Sequence, residues 1–233
     1  MAAEACSVLI TGANRGLGLE MLLACCRDLD GLRAEGLRDL AKKHPNVITV
    51  VRLGEYSLCS ILLQVGSLVG KAGLNLLVNN TGMLTHRTMQ TTSTQEIQAA
   101  FNTNILGPMD EFLPYLQSAA TASGKPGLSF NKPAVVSISS MVASMATIKE
   151  MCSFFPMASA GLNMLTLCAT EQFRKNEILF AVLYPGWVRT DMGGEGGAID
   201  APESEKGLLS VMDSLTEKQT GVFLDYEGKV MPW

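Results

Sequence analysis

Histidine is nearly absent from this chain, with two in 233 residues, and the six cysteines are scattered without one CxxC pair. That leaves no zinc-ligand spacing and no disulfide framework, as expected of a protein kept in reducing cytosol. Aromatic residues make up only 6%, with two tryptophans, and the formal net charge is -4. Neither a stacking platform nor a basic surface is available for nucleic acid, and anionic membrane has no electrostatic partner here. No apolar run reaches the length of about 18 residues that a membrane span needs. The opening "MAAEACSVLITG" has no basic stretch before its first apolar run, so it does not read as a secretory signal. A cytoplasmic protein with neither nucleic acid nor membrane as partner is the expectation.

What is present is a large apolar fraction, 47%, against 17% charged. At this length the chain suits one α/β domain over residues 1–233, and a second independent domain would be cramped. There are no repeats, no low-complexity tracts and no linker. Apolar runs alternate with helical stretches. The runs are "CSVLIT" from Cys6, "NVITVVRL" from Asn46, "LNLLVNN" from Leu74, "AVVSIS" from Ala134, "ILFAVLYP" from Ile178 and "GVFLDY" from Gly221. They are continuous rather than alternating, as strands buried on both faces are. Helices are expected over Leu32–His44, Ser57–Ala72, a long stretch from Thr94 to Ala122, Phe155–Arg174 and Ala201–Leu215, with a loop at Thr121–Pro133. This alternation predicts a parallel sheet covered by helices. Val8–Thr11, Leu74–Asn79, Ala134–Ser139 and Ile178–Tyr184 should form its centre.

The first chemical signal is "TGANRGLG", Thr11 to Gly18, directly after the first run. Gly12, Gly16 and Gly18 allow a tight turn and close approach of backbone to a ligand. A helix beginning there offers free N–H groups and the positive end of its dipole to a pyrophosphate. Three glycines between a strand and a helix can equally be a plain turn; the preceding strand favours the nucleotide reading.

Several further segments, in order, make the sequence familiar. "LLVNNTG" carries Asn79, Asn80 and Gly82; "FNTNILGP" carries Asn104; "VVSISSM" carries Ser140; "YPGWVRTDMGG" carries Pro185, Gly186, Val188 and Thr190; and the chain ends in "VMPW". Together with the glycine motif they resemble the short-chain dehydrogenase/reductase family. Within it they resemble the small carbonyl-reductase-like proteins of the sniffer and C-factor type, over nearly the whole chain. The resemblance implies a Rossmann-like, doubly wound parallel sheet that binds NADP(H) beyond the carboxyl ends of its strands. It implies hydride transfer to a small carbonyl substrate, with a homodimer left open. Gly12, Asn14, Arg15, Gly16, Leu17, Gly18, Asn79, Asn80, Gly82, Pro185, Gly186, Val188 and Thr190 then fall at cofactor-binding places. Asn104 and Ser140 fall at catalytic ones. In the family a tyrosine protonates the developing alkoxide, a lysine lowers its pKa and holds the nicotinamide ribose, and a serine polarises the carbonyl.

Against that scheme the chain departs three times. The family's Tyr-x-x-x-Lys pattern aligns with Phe155-Pro-Met-Ala-Ser159, in a register fixed by the following "GLNMLT". Phe155 has no proton to give, and Ser159 has neither the charge nor the reach of a lysine. Lys149, six residues earlier, is the nearest lysine. Second, only "LEMLLACC" separates Gly18 from Arg27-Asp28. A helix of about ten residues, a turn and a strand of about five do not fit there. A deletion is expected, with a sheet that lacks its second strand. Arg27 stands where an arginine would meet the 2'-phosphate of NADP, and Arg15 is another candidate. Third, Gly54 occupies the place of an adenine-contacting aspartate.

The expectation is a short-chain dehydrogenase/reductase homologue, by resemblance an NADP-dependent oxidoreductase, with weakened cofactor binding and impaired catalysis. The alternative is a non-catalytic pseudoenzyme that binds a nucleotide or a protein partner.

Overall fold

The computed structural model describes residues 6–25, 36–51, 58–84, 90–107, 109–123, 132–147 and 154–233. Among the described residues five strands form one parallel sheet: β1 (Val8–Ile10), β2 (Leu76–Asn79), β3 (Ala134–Ile138), β4 (Leu179–Tyr184) and β5 (Phe223–Asp225), in that spatial order. Each step from one parallel strand to the next needs a crossover, and helices supply it. They are α1 (Gly16–Cys25), α2 (Leu37–Lys43), α3 (Leu58–Val69), α4 (Thr94–Phe101), α5 (Met109–Ser123), α6 (Phe154–Gln172) and α7 (Ala201–Ser214).

Alternate side chains of each strand enter opposite cores, which is why the strands read as continuous apolar runs. On one face Leu76, Val78, Ala134, Val136, Ala181 and Leu183 pack with Leu17 and Met21 of α1 and with Leu208, Val211 and Met212 of α7. On the other, Leu77, Val135 and Phe180 pack with Ile61 and Val65 of α3, Phe112 and Leu116 of α5 and Ala169 of α6. The sheet is therefore doubly wound and Rossmann-like, as expected.

Three expectations are corrected. The run Asn46–Leu53 is not a strand over its described part: residues 45–47 turn and 48–51 have no ladder. Ile48 instead plugs a small core with Leu40 of α2 and Leu19, Leu22 and Leu23 of α1, while Val47 is exposed. An apolar run becomes a strand only beside a partner, and the interval after Gly18 is occupied by α1 as far as Cys25. Consequently β1 is not central: among the described residues it pairs with β2 alone, and Val8 is exposed. Third, the stretch Thr94–Ala122 is not one helix. After α4 it widens into a π-turn, Asn102–Leu106, closed by the Gly107 N–H donating to the Asn102 carbonyl at 2.9 Å, before α5 begins. Pro108, lacking an N–H, follows that turn.

Candidate active site at the carboxyl edge of the sheet

Because all five strands run parallel, the segments that leave their carboxyl ends meet along one edge. The loop after β1 is tied to the loop after β2 by one side chain. The Thr11 hydroxyl accepts from the N–H groups of Asn80 (3.0 Å) and Thr81 (2.9 Å) and lies 3.4 Å from the Val78 carbonyl, to which it donates. The Asn80 amide returns the link, donating to the Thr11 carbonyl at 3.0 Å.

The glycines fit this crowding. Gly12 (φ +69°) and Gly16 (φ +52°) hold left-handed backbone. A Cβ on Gly18 would lie 2.5 Å from both the Gly12 carbonyl oxygen and Asn80 Nδ2. Leu17, between them, turns inward to the α1–α7 core, while Arg15 stays in solvent. Asn14, exposed, sits in the turn itself. The N–H groups of Gly16, Leu17 and Gly18 open α1, and no helical carbonyl precedes them to accept.

The segment after β4 folds on itself and over this loop. Gly186 takes φ +83°, and the Pro185 carbonyl accepts from Ser204 Oγ at 2.5 Å. Val188 forms a bridge with Ile199, and Thr190 Oγ1 accepts from the Gly193 N–H at 3.2 Å. A Cβ on Gly16 would meet the Thr190 methyl at 3.6 Å, and one on Gly82 would meet Met192 Cε at 3.5 Å. Across the gap, Arg15 Nη1 donates to Asp191 Oδ2 at 2.7 Å. Glycine loop, Asn80–Gly82 and Thr190–Met192 thus form one wall.

Asn104 is buried on the π-turn and grips the next residue of that wall at both ends. Its Oδ1 accepts from the Met83 N–H at 2.7 Å and its Nδ2 donates to the Met83 carbonyl at 3.0 Å. The extra residue of the π-turn re-aims the side chain toward Met83. Asn79, the last residue of β2, is 3% exposed, and both of its amide atoms are without a hydrogen-bond partner.

Ser140 follows β3 and caps a short 3₁₀ turn, Met141–Ala143, its hydroxyl accepting from the Val142 N–H at 3.4 Å. Beside it, Ser139 Oγ donates to Asn163 Oδ1 of α6 at 2.6 Å. The helix α6 packs against both this turn and the π-turn of Asn104, and Gly161 leaves room for Ile105, whose Cδ1 would be 2.5 Å from a Cβ there. Pro156 lies in the first turn of α6, where a missing N–H costs little. Phe155 is half-buried beside it and Ser159, one turn on, is buried. Arg27, Lys149 and Gly54 lie outside the described residues.

One residue escaped sequence reasoning. Tyr184 ends β4, in register with Asp225 of β5 and one step beyond the Ile138–Leu183 pair that precedes Ser139. It precedes Pro185 in the chain, and its signal was the tyrosine of "LYPG". Burial pushes its phenol above the usual range, reinforced by Tyr226 and Asp225. That is the reverse of the lowering a catalytic tyrosine gains from a neighbouring ammonium. Among the described residues no cluster of His, Cys, Asp and Glu could hold a metal, and no helix is long and apolar enough to cross a membrane.

The resemblance seen in the sequence has counterparts in whole proteins. The chain is 35% identical to an NADPH-bound carbonyl reductase from chicken fatty liver, covering 99% of this chain and 100% of that one with a TM-score of 0.87. It is 28% identical to the carbonyl reductase Sniffer of D. melanogaster, covering 97% and 99%, with a TM-score of 0.88. The C-signal protein of Myxococcus xanthus is 31% identical over 142 residues, 59% of this chain and 79% of its own. Residues 61–198 match the short chain dehydrogenase family, a span that takes in β2, the π-turn of Asn104, β3, α6, β4 and the segment closing over the glycine loop. The chain therefore belongs to the short chain dehydrogenase family.

Proposed function

We propose that this protein binds NADP(H) at the carboxyl edge of its sheet and is an impaired carbonyl reductase. The observation that carries this is the pairing of a complete glycine cradle with a proton-donor position filled by Phe155.

The residues on the phosphate side suit a dinucleotide. Gly12 and Gly16 keep the turn open at positive φ, and the first N–H groups of α1 point out of it. Arg15 supplies a guanidinium on the same loop, paired in this structure with Asp191. Asn14, Leu17, Gly18, Asn79, Asn80 and Gly82 shape the floor, and Pro185, Gly186, Val188 and Thr190 the cover. A bound nicotinamide would supply the hydride. The NADPH held by the carbonyl reductase from chicken fatty liver, at 35% identity, supports the same cofactor here.

The residues on the chemical side suit it poorly. Ser140 can donate its hydroxyl hydrogen to a carbonyl oxygen while its lone pair caps the 3₁₀ turn. Asn104 braces the wall through Met83. Phe155 excludes water but cannot protonate an alkoxide, and Ser159 can neither hold a ribose nor lower a neighbour's pKa by charge. Loss of a general acid removes about 10²–10⁴ in rate. A small carbonyl compound remains the substrate class for whatever activity persists. The second reading, a nucleotide-binding pseudoenzyme, is favoured by the same two positions.

Titration with NADPH, read by quenching of tryptophan fluorescence, tests the cofactor. NADPH oxidation with an aromatic aldehyde tests turnover. Saturable binding with slow or no oxidation is the expected result. No binding removes the cofactor reading, and turnover at about 1 s⁻¹ or faster, in the ordinary enzyme range, removes the impairment.

A further inference from the structure

Among the described residues one ion pair joins the two sides of the wall over the glycine loop. Arg15 immediately precedes α1, and its Nη1 is 2.7 Å from Asp191 Oδ2, 176 residues away in the chain. Both side chains are open to water, at 71% and 75% exposure, so the contact is readily exchanged. Around it Thr190 lies over Gly16 and Met192 over Gly82. The carboxylate of Asp191 therefore sits on the one cation of this loop, carried by the residue immediately before α1.

A dinucleotide brings two kinds of phosphate to such a place. The pyrophosphate is a diester whose charge is spread, and neutral backbone N–H groups serve it. A phosphomonoester carries about -1.5 to -2 at neutral pH and calls for a guanidinium, which it can meet with two parallel hydrogen bonds. Before it can do so the guanidinium must leave Asp191. We propose that Asp191 is a specificity-determining residue: its carboxylate competes with the 2'-phosphate of NADP(H) for Arg15 and so weakens discrimination against NAD(H). The inference rests on the dinucleotide reading of the site. Its consequence is a coupling. The ligand that captures Arg15 also frees the Asp191 carboxylate, while the Val188–Ile199 bridge keeps the segment in place.

The test is a thermodynamic cycle read by binding rather than by activity. NADPH, NADH and 2',5'-ADP are titrated into the original chain, Asp191→Asn, Arg15→Ala and the double variant, following tryptophan fluorescence. Exposed ion pairs are weak, so Asp191→Asn should tighten NADPH and 2',5'-ADP by about two- to fivefold and leave NADH within about 1.5-fold. In the Arg15→Ala background the Asp191 substitution should change nothing, since interacting residues lose their coupling when either is removed. Glu195→Gln, an exposed acid on the same segment, removes the same charge without touching Arg15 and should leave all three ligands unchanged. Equal tightening of NADPH and NADH by Asp191→Asn, or a matching effect of Glu195→Gln, overturns the inference while leaving the cofactor reading intact. Failure of the original chain to bind either dinucleotide overturns both.

Discussion

Replacing Phe155 by tyrosine and Ser159 by lysine is the perturbation that asks most of the site. The two positions are four residues apart on α6, so their side chains share one helix face. Phe155 is half-buried, and a hydroxyl added to its ring is near enough to solvent to find a partner. Ser159 is 5% exposed, and a lysine there must bring its charge into a dry place. Burial lowers a lysine pKa, here by about two units out of the range of up to 3–5 known for fully buried groups. At about 1.4 kcal/mol per unit that costs about 3 kcal/mol at neutral pH. For a domain of this size the melting temperature should fall by about 6–12 °C. The cost depends on pH in a defined sense. Between the lowered pKa of the folded chain and the value of about 10.4 in the unfolded one, the unfolded chain holds more protons, so stability rises with pH. The deficit of Ser159→Lys should therefore be full at pH 7 and gone near pH 10.5. Meanwhile NADPH oxidation with an aromatic aldehyde should rise by about 10²–10⁴ in the double variant. The measurements are initial rates, saturation with NADPH and thermal melts at pH 7 and pH 10. The reasoning is refuted if the double variant binds NADPH yet turns over no faster than the original chain. It is refuted too if Ser159→Lys melts alike at both pH values.

Three further outcomes follow from contacts already described. Gly18→Ala gains about 1 kcal/mol of helix propensity, but its Cβ would meet the Gly12 carbonyl at 2.5 Å. We expect a net loss of about 1–2 kcal/mol together with weaker NADPH binding. Gly36→Ala, with nothing within 4 Å, should stay within about 0.5 kcal/mol; equal melts for the two would refute the clash. Asn104→Ala removes both bonds to Met83 and should cost about 2 kcal/mol, with Asn104→Asp recovering the half that accepts from the N–H. A denaturant melt that separates neither variant from the original chain would count against the brace. Finally, the raised phenol of Tyr184, half-buried and influenced by Tyr226 and Asp225, stays protonated in the folded chain after the unfolded one has begun to ionise. Stability should therefore decline as pH climbs above about 10, and Tyr184→Phe should flatten that decline in melts between pH 9 and pH 11.

The sequence displayed the sheet well because β2, β3 and β4 are buried on both faces, and an unbroken apolar run such as "LFAVLY" is at home in few places besides the middle of a sheet. It misled at Asn46–Leu53 for a related reason. An apolar run records that its residues need cover, and Ile48 finds cover between α1 and α2 without a strand partner. The π-turn at Asn102–Leu106 was invisible because one extra residue in a turn hardly disturbs a helical pattern, although Gly107-Pro108 marked the place. At the site, the glycines and Asn104 could be read from local motifs. The Arg15–Asp191 pair could not, since nothing local joins residues 176 apart. Tyr184 was passed over because its neighbours come from other strands, and burial, which sets its proton affinity, is a property of the assembled sheet.

The Thr11 hydroxyl has a consequence for how such motifs are interpreted. All three of its contacts go to the backbone of residues 78–81, so it works as a rivet between two loops and offers nothing to a visitor. Asn80 and Asn104 are spent inward in the same way. Much of what looks like a ligand signature is thus masonry, needed for the edge of the sheet to hold its shape whether the niche is furnished or empty. The groups that would touch a reacting molecule are few, and Phe155 and Ser159 stand at two of the places that the family resemblance gives them. In a chain built this way, an intact motif certifies the architecture, and activity has to be sought in the handful of side chains that the masonry does not use.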